Sequence, residues 1–432
     1  MFKKIKEGYK KNLLLRVASF NSLSVFFKLI TGFVVSKVMA IFIGPAGLAI
    51  TGNLSNFMQS VESLSSLGVK HGVIKYVAEY REDELQLKRI ISSAFFVSLC
   101  ISIMLFFGIF LFSNTISQIV FNSKDFSFLF KVSAIMIPFY SIHIFYISIL
   151  NGLKRIKQLI QVNIVGYIFT TILIVVLIVY NKLEGALYAI VISPFLLFSS
   201  LLYRFKMLKE ISKSIKFTLI SKVFFKKITS FFSMTLFSGI MFPVIFLLIR
   251  NHIIDTVGIT DAGYWEATRK ISNYYMLFVY TLFNMYLLPV LSEDINNTKF
   301  KTTIINFYQN ILPIVLLGFI MIYFFRYFII RVVFTSDFLS MQELFGWQLI
   351  GDFFRIVSLT VSYQFFAKKM ILKYLICETS LMLFVYLLSI YLINHLNVIG
   401  AIKAHAYSYM FYTLLMFFIF RNELFKRDAI KQ

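Results

Sequence analysis

Two cysteines stand in the 432 residues. Both, Cys100 and Cys377, fall inside apolar stretches, which argues against a disulfide framework and against a thiolate metal site. No G-x-x-x-x-G-K-[ST] segment occurs, so no built-in ATPase of the P-loop type is expected. H-E-x-x-H and nucleophile-elbow patterns are also missing, and His71, His143, His252, His395 and His405 are scattered as ordinary interfacial or core histidines would be. No catalytic residues, cofactor or metal are therefore expected. Acid is scarce: 20 Asp and Glu face 43 Lys and Arg, a formal net charge of +23. A surplus of that size can mark a nucleic-acid binder. Here it is spread over short polar stretches between apolar runs, so it reads as membrane topology, with no nucleic-acid partner.

What is abundant is hydrophobicity. The chain is 59% hydrophobic and 18% aromatic, with mean hydropathy +0.80. A soluble domain holds about half apolar residues. The class is an all-α polytopic membrane protein. Val17–Ile43 is an apolar run of 27 residues, and about 20 suffice to cross a bilayer. It is too long for a signal-peptide core, so it reads as an uncleaved first span.

Twelve spans are expected, near residues 17–43, 47–69, 90–113, 127–150, 158–180, 185–203, 228–250, 262–290, 304–330, 342–367, 371–394 and 398–420. The second, eighth and tenth are the least apolar, as suits helices that line a wet cavity. With the N-terminus inside, the inner segments carry 31 Lys and Arg and the outer segments five: Lys124, Lys182, Arg250, Arg326 and Arg331. That bias puts both termini in the cytoplasm. The basic stretch 204–227 divides the chain into six-helix bundles at 1–203 and 228–432; it reads either as a plain cytoplasmic linker or as a segment lying on the anionic leaflet. Five of six prolines fall inside spans and would let helices bend. No outer loop exceeds about 15 residues, which argues against a membrane enzyme with an external acceptor site.

The remaining chemistry is charge within the spans. Lys28 sits eleven residues into the first span, roughly 16 Å along a helix, out of easy reach of either interface. A cation there should face protein, water or an anion. Lys37 lies nine residues further, about 180° around the helix, and nearer an interface. The other span bases are Lys131, Arg250, Arg269, Lys270, Arg355 and Lys403; the acids are Glu62, Glu266, Asp352 and Glu378. Lys28 would bind an anion or pair with an acid such as Glu62. Glu266 and Lys270 are spaced to neutralise each other, leaving Arg269 as the free cation. Arg250 would anchor to headgroups or line the cavity. Asp352 and Arg355, three apart, would pair or act in gating. With bases outnumbering acids, the chain is expected to move an anionic substrate across a membrane. Its anion-binding candidates are Lys28, Lys37, Arg250, Arg269 and Lys270; its gating or ion-coupling candidates are Glu62, Asp352, Arg355 and Glu378.

Four stretches carry a family resemblance: GPAGL at Gly44–Leu48, GVIKYVAEY at Gly72–Tyr80, YLLPVLS at Tyr286–Ser292 and LFGWQLIGDFFR at Leu344–Arg355. In this order and spacing the chain resembles the Wzx-type flippases of O-antigen and enterobacterial common antigen, within the multidrug/oligosaccharidyl-lipid/polysaccharide exporter superfamily. The resemblance implies two six-helix bundles around a central cationic cavity. It implies an undecaprenyl-diphosphate-linked oligosaccharide turned from the inner to the outer leaflet of a bacterial inner membrane, with a polysaccharide polymerase and a chain-length regulator as candidate partners. The family pattern of basic residues in the first span matches Lys28 and Lys37, and its acid-then-base spacing matches Asp352 and Arg355. Glu62 matches no feature of that pattern. The alternative function is a cation-coupled multidrug exporter of the same superfamily, which would want buried carboxylates to dominate.

Overall fold

The computed structural model describes residues 13–66, 69–229, 232–293 and 300–425. Helices form wherever the apolar runs lie, because a backbone in hydrocarbon must satisfy its hydrogen bonds within its own segment. In chain order they are α1 (Leu13–Ser65), α2 (Val69–Glu79), α3 (Glu84–Leu111), α4 (Ser113–Phe121), α5 (Ser127–Gly152), α6 (Ile156–Ser199), α7 (Phe205–Lys213) and α8 (Lys222–Thr229). After these come α9 (Phe232–Thr256), α10 (Ile259–Leu282), α11 (Leu288–Glu293), α12 (Phe300–Phe324), α13 (Arg326–Val333), α14 (Phe345–Ala367), α15 (Ile371–Leu396), α16 (Val398–Ile419) and α17 (Arg421–Phe425).

Nine helical stretches among the described residues are long and apolar enough to cross a membrane. Two of them are doubled. α1 breaks at Gly44, whose φ of 62° is followed by Pro45, and α6 breaks at Lys182, φ 46°. Counting each half, and adding the 22-residue α16, gives twelve helical segments at the positions of the expected spans.

The contacts divide the chain into two compact units. One holds the described residues up to Ile43 together with Ile50–Leu247; the other holds Gly44–Ala49 and the described residues from Leu248 on. In the first unit, one core cluster joins α2, α3 and α5 through Val73, Val77, Ile90, Ala94, Phe145 and Ile149, and a second joins Leu54 and Met58 to Phe130, Ile137 and Val191. In the second unit, α14 packs along α16 and α16 along α15. There the turn Gly44–Ala49 is seated against α10 at Gly263, where a Cβ would run into the Pro45 backbone. The absent side chain at Gly263 is what lets the break in α1 sit so close.

The stretch 204–227 is not a free tether. Met207, Ile211 and Phe224 are buried in the first core cluster of the first unit. Arg155 bridges Glu210 at 2.5 and 2.9 Å, and that bond raises the guanidinium pKa above its ordinary value. Tyr146 bonds Ser212 at 2.6 Å, and the Ser92 and Ser93 hydroxyls accept the backbone N–H of Lys216 and Ser221, both at 3.0 Å.

Candidate functional site: buried charge in each unit

In the first unit, α1 brings Lys28 and Glu62 into electrostatic reach across the Gly44 break, with Lys70 of α2 as a second cation. The Tyr140 hydroxyl of α5 bonds the Glu62 carboxylate. A cavity of about 300 Å³ opens beside it, lined by Gln59, Glu62, Ser63, Ser66, Lys70 and Tyr140 and closed by Gly239, Phe242 and Pro243 of α9. The Lys28 side chain is exposed and Lys37 is half-buried. Two cations and one carboxylate share this region, so the expected pairing of Lys28 with Glu62 leaves Lys70 as additional positive charge. Sequence reading missed Lys70 and Tyr140. Lys70 falls just past an expected span and reads as a loop residue, and Tyr140 reads as one more aromatic residue in an apolar run.

In the second unit the charges are more deeply enclosed. Arg250 near the end of α9 is 0% exposed and donates to Glu266 Oε2 at 2.5 Å. Arg269 Nη1 reaches the same oxygen at 3.4 Å. Both guanidinium groups lie over the Trp265 ring, at 5.4 and 4.8 Å from its centroid. Lys270 acts on Glu266 through its charge. The headgroup-anchor reading of Arg250 is thus corrected: it is a buried cation rather than an outer-loop one. Its partner is 16 residues away, a spacing no single-helix rule connects. Lys270 does act on Glu266 as its spacing suggested, but Arg250 and Arg269 share the same carboxylate, so Arg269 is not left as the free cation. Three cations thus gather around one carboxylate within a shell of apolar helices.

The second cluster is built on α14. Asp352, 0% exposed, accepts on Oδ2 from Ser272 at 2.6 Å, Tyr275 at 2.5 Å and Gln348 at 2.8 Å. His405 of α16 approaches Oδ1 at 3.2 Å and Arg355 at 3.5 Å. Asp352 and Arg355 therefore do meet, as their spacing suggested. The carboxylate is otherwise saturated by neighbours that sequence reading passed over, His405 among them. Arg355 also donates to the Tyr280 hydroxyl at 2.6 Å and lies 5.6 Å from the Tyr409 ring. Its Nε is buried with no hydrogen-bond partner. Glu378 is buried on α15 and accepts from Tyr412 at 2.8 Å. Among the described residues no group of three or more His, Cys, Asp or Glu could hold a metal ion.

Buried ion pairs inside long apolar helices are expensive and mark a path for polar or charged cargo. The class defined by fold and charge is a multi-pass helical membrane transporter. The chain belongs to the polysaccharide biosynthesis protein family, whose model matches residues 14–294, about two thirds of its length. It is 24% identical over 408 residues to the lipid III flippase of Escherichia coli K12, covering 92% of this chain and 96% of that protein. The lipid III flippase of Shigella flexneri matches to the same extent. Among solved structures, an inward-facing multidrug resistance MATE family transporter of the MOP superfamily has the same fold, with a TM-score of 0.77 at 15% identity over 93% of this chain and 94% of that one. The lipid II flippase MurJ in an inward closed conformation has a TM-score of 0.68 at 18% identity, over 93% and 87%. The all-α, multi-span transporter fold expected from the sequence is thus the one observed.

Proposed function

We propose that this protein is a flippase for oligosaccharide carried on a polyprenyl diphosphate, undecaprenyl diphosphate in a bacterial inner membrane, moving it from the inner to the outer leaflet with both termini cytoplasmic. The observation that carries the reading is the gathering of three buried or half-buried cations, Arg250, Arg269 and Lys270, at Glu266. A diphosphate brings one to two negative charges into a region of low dielectric, and guanidinium and ammonium groups are its usual partners. The unpartnered Arg355 Nε is a further buried donor. Lys28 and Lys70 supply the same chemistry in the first unit, and Gln59, Ser63 and Ser66 offer hydrogen bonds to sugar hydroxyls. The isoprenoid tail stays in lipid. Two relatives named as lipid III flippases, matched nearly end to end, support the reading.

The protein moves its substrate without transforming it, and a polysaccharide polymerase with its chain-length regulator would act on the delivered glycan. The likeness to a multidrug MATE transporter favours a second reading, cation-coupled drug export. Proteoliposomes decide between them. The flippase reading expects an enzyme added outside to reach fluorescent undecaprenyl-diphosphate glycan loaded in the inner leaflet, with no transport of ethidium. Transport of ethidium with the glycan left in place would overturn it.

A further inference from the structure

The docked connection between α6 and α9 has a second, outward side, and nothing in the flippase reading uses it. On α7, Met207 and Ile211 turn into the core of the first unit. At 100° per residue, Lys206, Lys209 and Lys213 fall within a stripe about 60° wide, roughly opposite that buried face. All three lysines are exposed. Phe205, 63% exposed, flanks the stripe, and Phe217 and Val223 further along are each 63% exposed. Large apolar side chains held out beside lysines are an unstable arrangement in water and a stable one at a headgroup boundary, where rings insert and ammonium groups stay at the surface.

The location agrees. α7 follows the membrane-length α6 after only the five-residue 3-10 segment Ser200–Arg204, so it starts at the edge of the hydrocarbon. The Arg155–Glu210 bridge and the two serine-capped N–H groups hold the element in place. Its lysines are therefore presented without the ordering cost a free tether would carry.

The geometry points to an anionic-lipid binding surface: acidic phospholipid headgroups sit on Lys206, Lys209 and Lys213 while Phe217 and Val223 enter the leaflet beside them. The inference is independent of what the protein transports. Its lipid would be retained where the surrounding neutral lipids exchange, because three lysines on a fixed backbone meet a phosphate repeatedly.

The test uses the full chain with Phe217→Trp in nanodiscs of phosphatidylglycerol and phosphatidylcholine at equal mole fraction, one lipid or the other carrying dibrominated chains. Emission added over the parent protein should be quenched at least about two-fold more by brominated phosphatidylglycerol, as expected for several lysines near a charged surface. The preference should shrink when salt rises to about 0.5 M, where screening is short-ranged. It should vanish in Lys206→Gln/Lys209→Gln/Lys213→Gln, whose unchanged melting temperature would show an intact fold. Equal quenching by both lipids would overturn the proposal, leaving only unselective insertion. So would no quenching by either, which would mean the face is turned to water or to a protein.

Discussion

At the scale of single residues, two kinds of buried charge have to be told apart. Lys28 and Glu62 are near enough to compensate each other, yet Lys28 is also a candidate for phosphate. If it binds phosphate, Lys28→Arg should keep substantial glycan export, Lys28→Ala should cripple it at normal protein levels, and Lys28→Glu should be worse. If it only neutralises Glu62, Lys28→Ala should lower the protein level and Lys28→Ala/Glu62→Gln should restore both level and export. Surface glycan and immunoblot measured together separate the two. Arg250 gives a sharper stability prediction. Glu266→Gln removes the carboxylate partner of a guanidinium that is 0% exposed, and breaking a buried pair by removing one partner costs about 3–5 kcal/mol. The double variant Arg250→Met/Glu266→Gln should recover much of that loss in a thermal melt in detergent. The Asp352–Arg355 meeting was legible because i,i+3 neighbours on a helix are close by construction. Arg250 with Glu266, and Asp352 with His405, were not, because only tertiary packing brings such distant positions together.

At the scale of elements, the spans were readable because bilayer thickness imposes a length on every apolar run. The breaks in α1 and α6 fall where expected spans end. The docking of 204–227 was not readable. Amphipathicity says that one side is apolar, but it does not say whether core or lipid covers it. Here the apolar residues are shared, with Met207, Ile211 and Phe224 inward and Phe205, Phe217 and Val223 outward. Loss of the Arg155–Glu210 bridge should loosen this element alone. Such half-exposed pairs contribute up to about 1 kcal/mol, so Arg155→Ala should raise the rate of tryptic cleavage after Lys206, Lys209 or Lys213 by up to about five-fold. Cleavage elsewhere should not change. The seat of the α1 break is less forgiving: Gly263→Val drives a side chain into the Pro45 backbone, and overpacking of this sort costs about 1–3 kcal/mol. A lower melting temperature with unchanged insertion is the expected result.

At the scale of the whole molecule, charge bias and energetics combine. On the proposed orientation, moving Arg250 to the buried set makes the distribution of Lys and Arg 31 inside to four outside, a stronger bias than the first count. Cysteines placed at 124 and 182 should be labelled by an impermeant maleimide in intact cells, and those at 155 and 213 should not. Labelling at 213 from outside would invert the proposed orientation. Outward passage of an anionic substrate is favoured by an inside-negative potential, by about 2.3 kcal/mol per charge per 100 mV. Flipping in vesicles should therefore speed up when a potassium diffusion potential of that sign is imposed, and indifference to it would leave only downhill equilibration.

The seat of Gly44–Ala49 against Gly263 also imposes a schedule. The six residues leave the ribosome roughly 210 positions before the glycine that receives them. At about 5–20 residues per second the interval is on the order of 10–40 s. Throughout it the two halves of the first helix are already made and the packing surface of the bend between them is vacant, so the second unit begins folding around a piece of chain that was in place long before the rest of it existed.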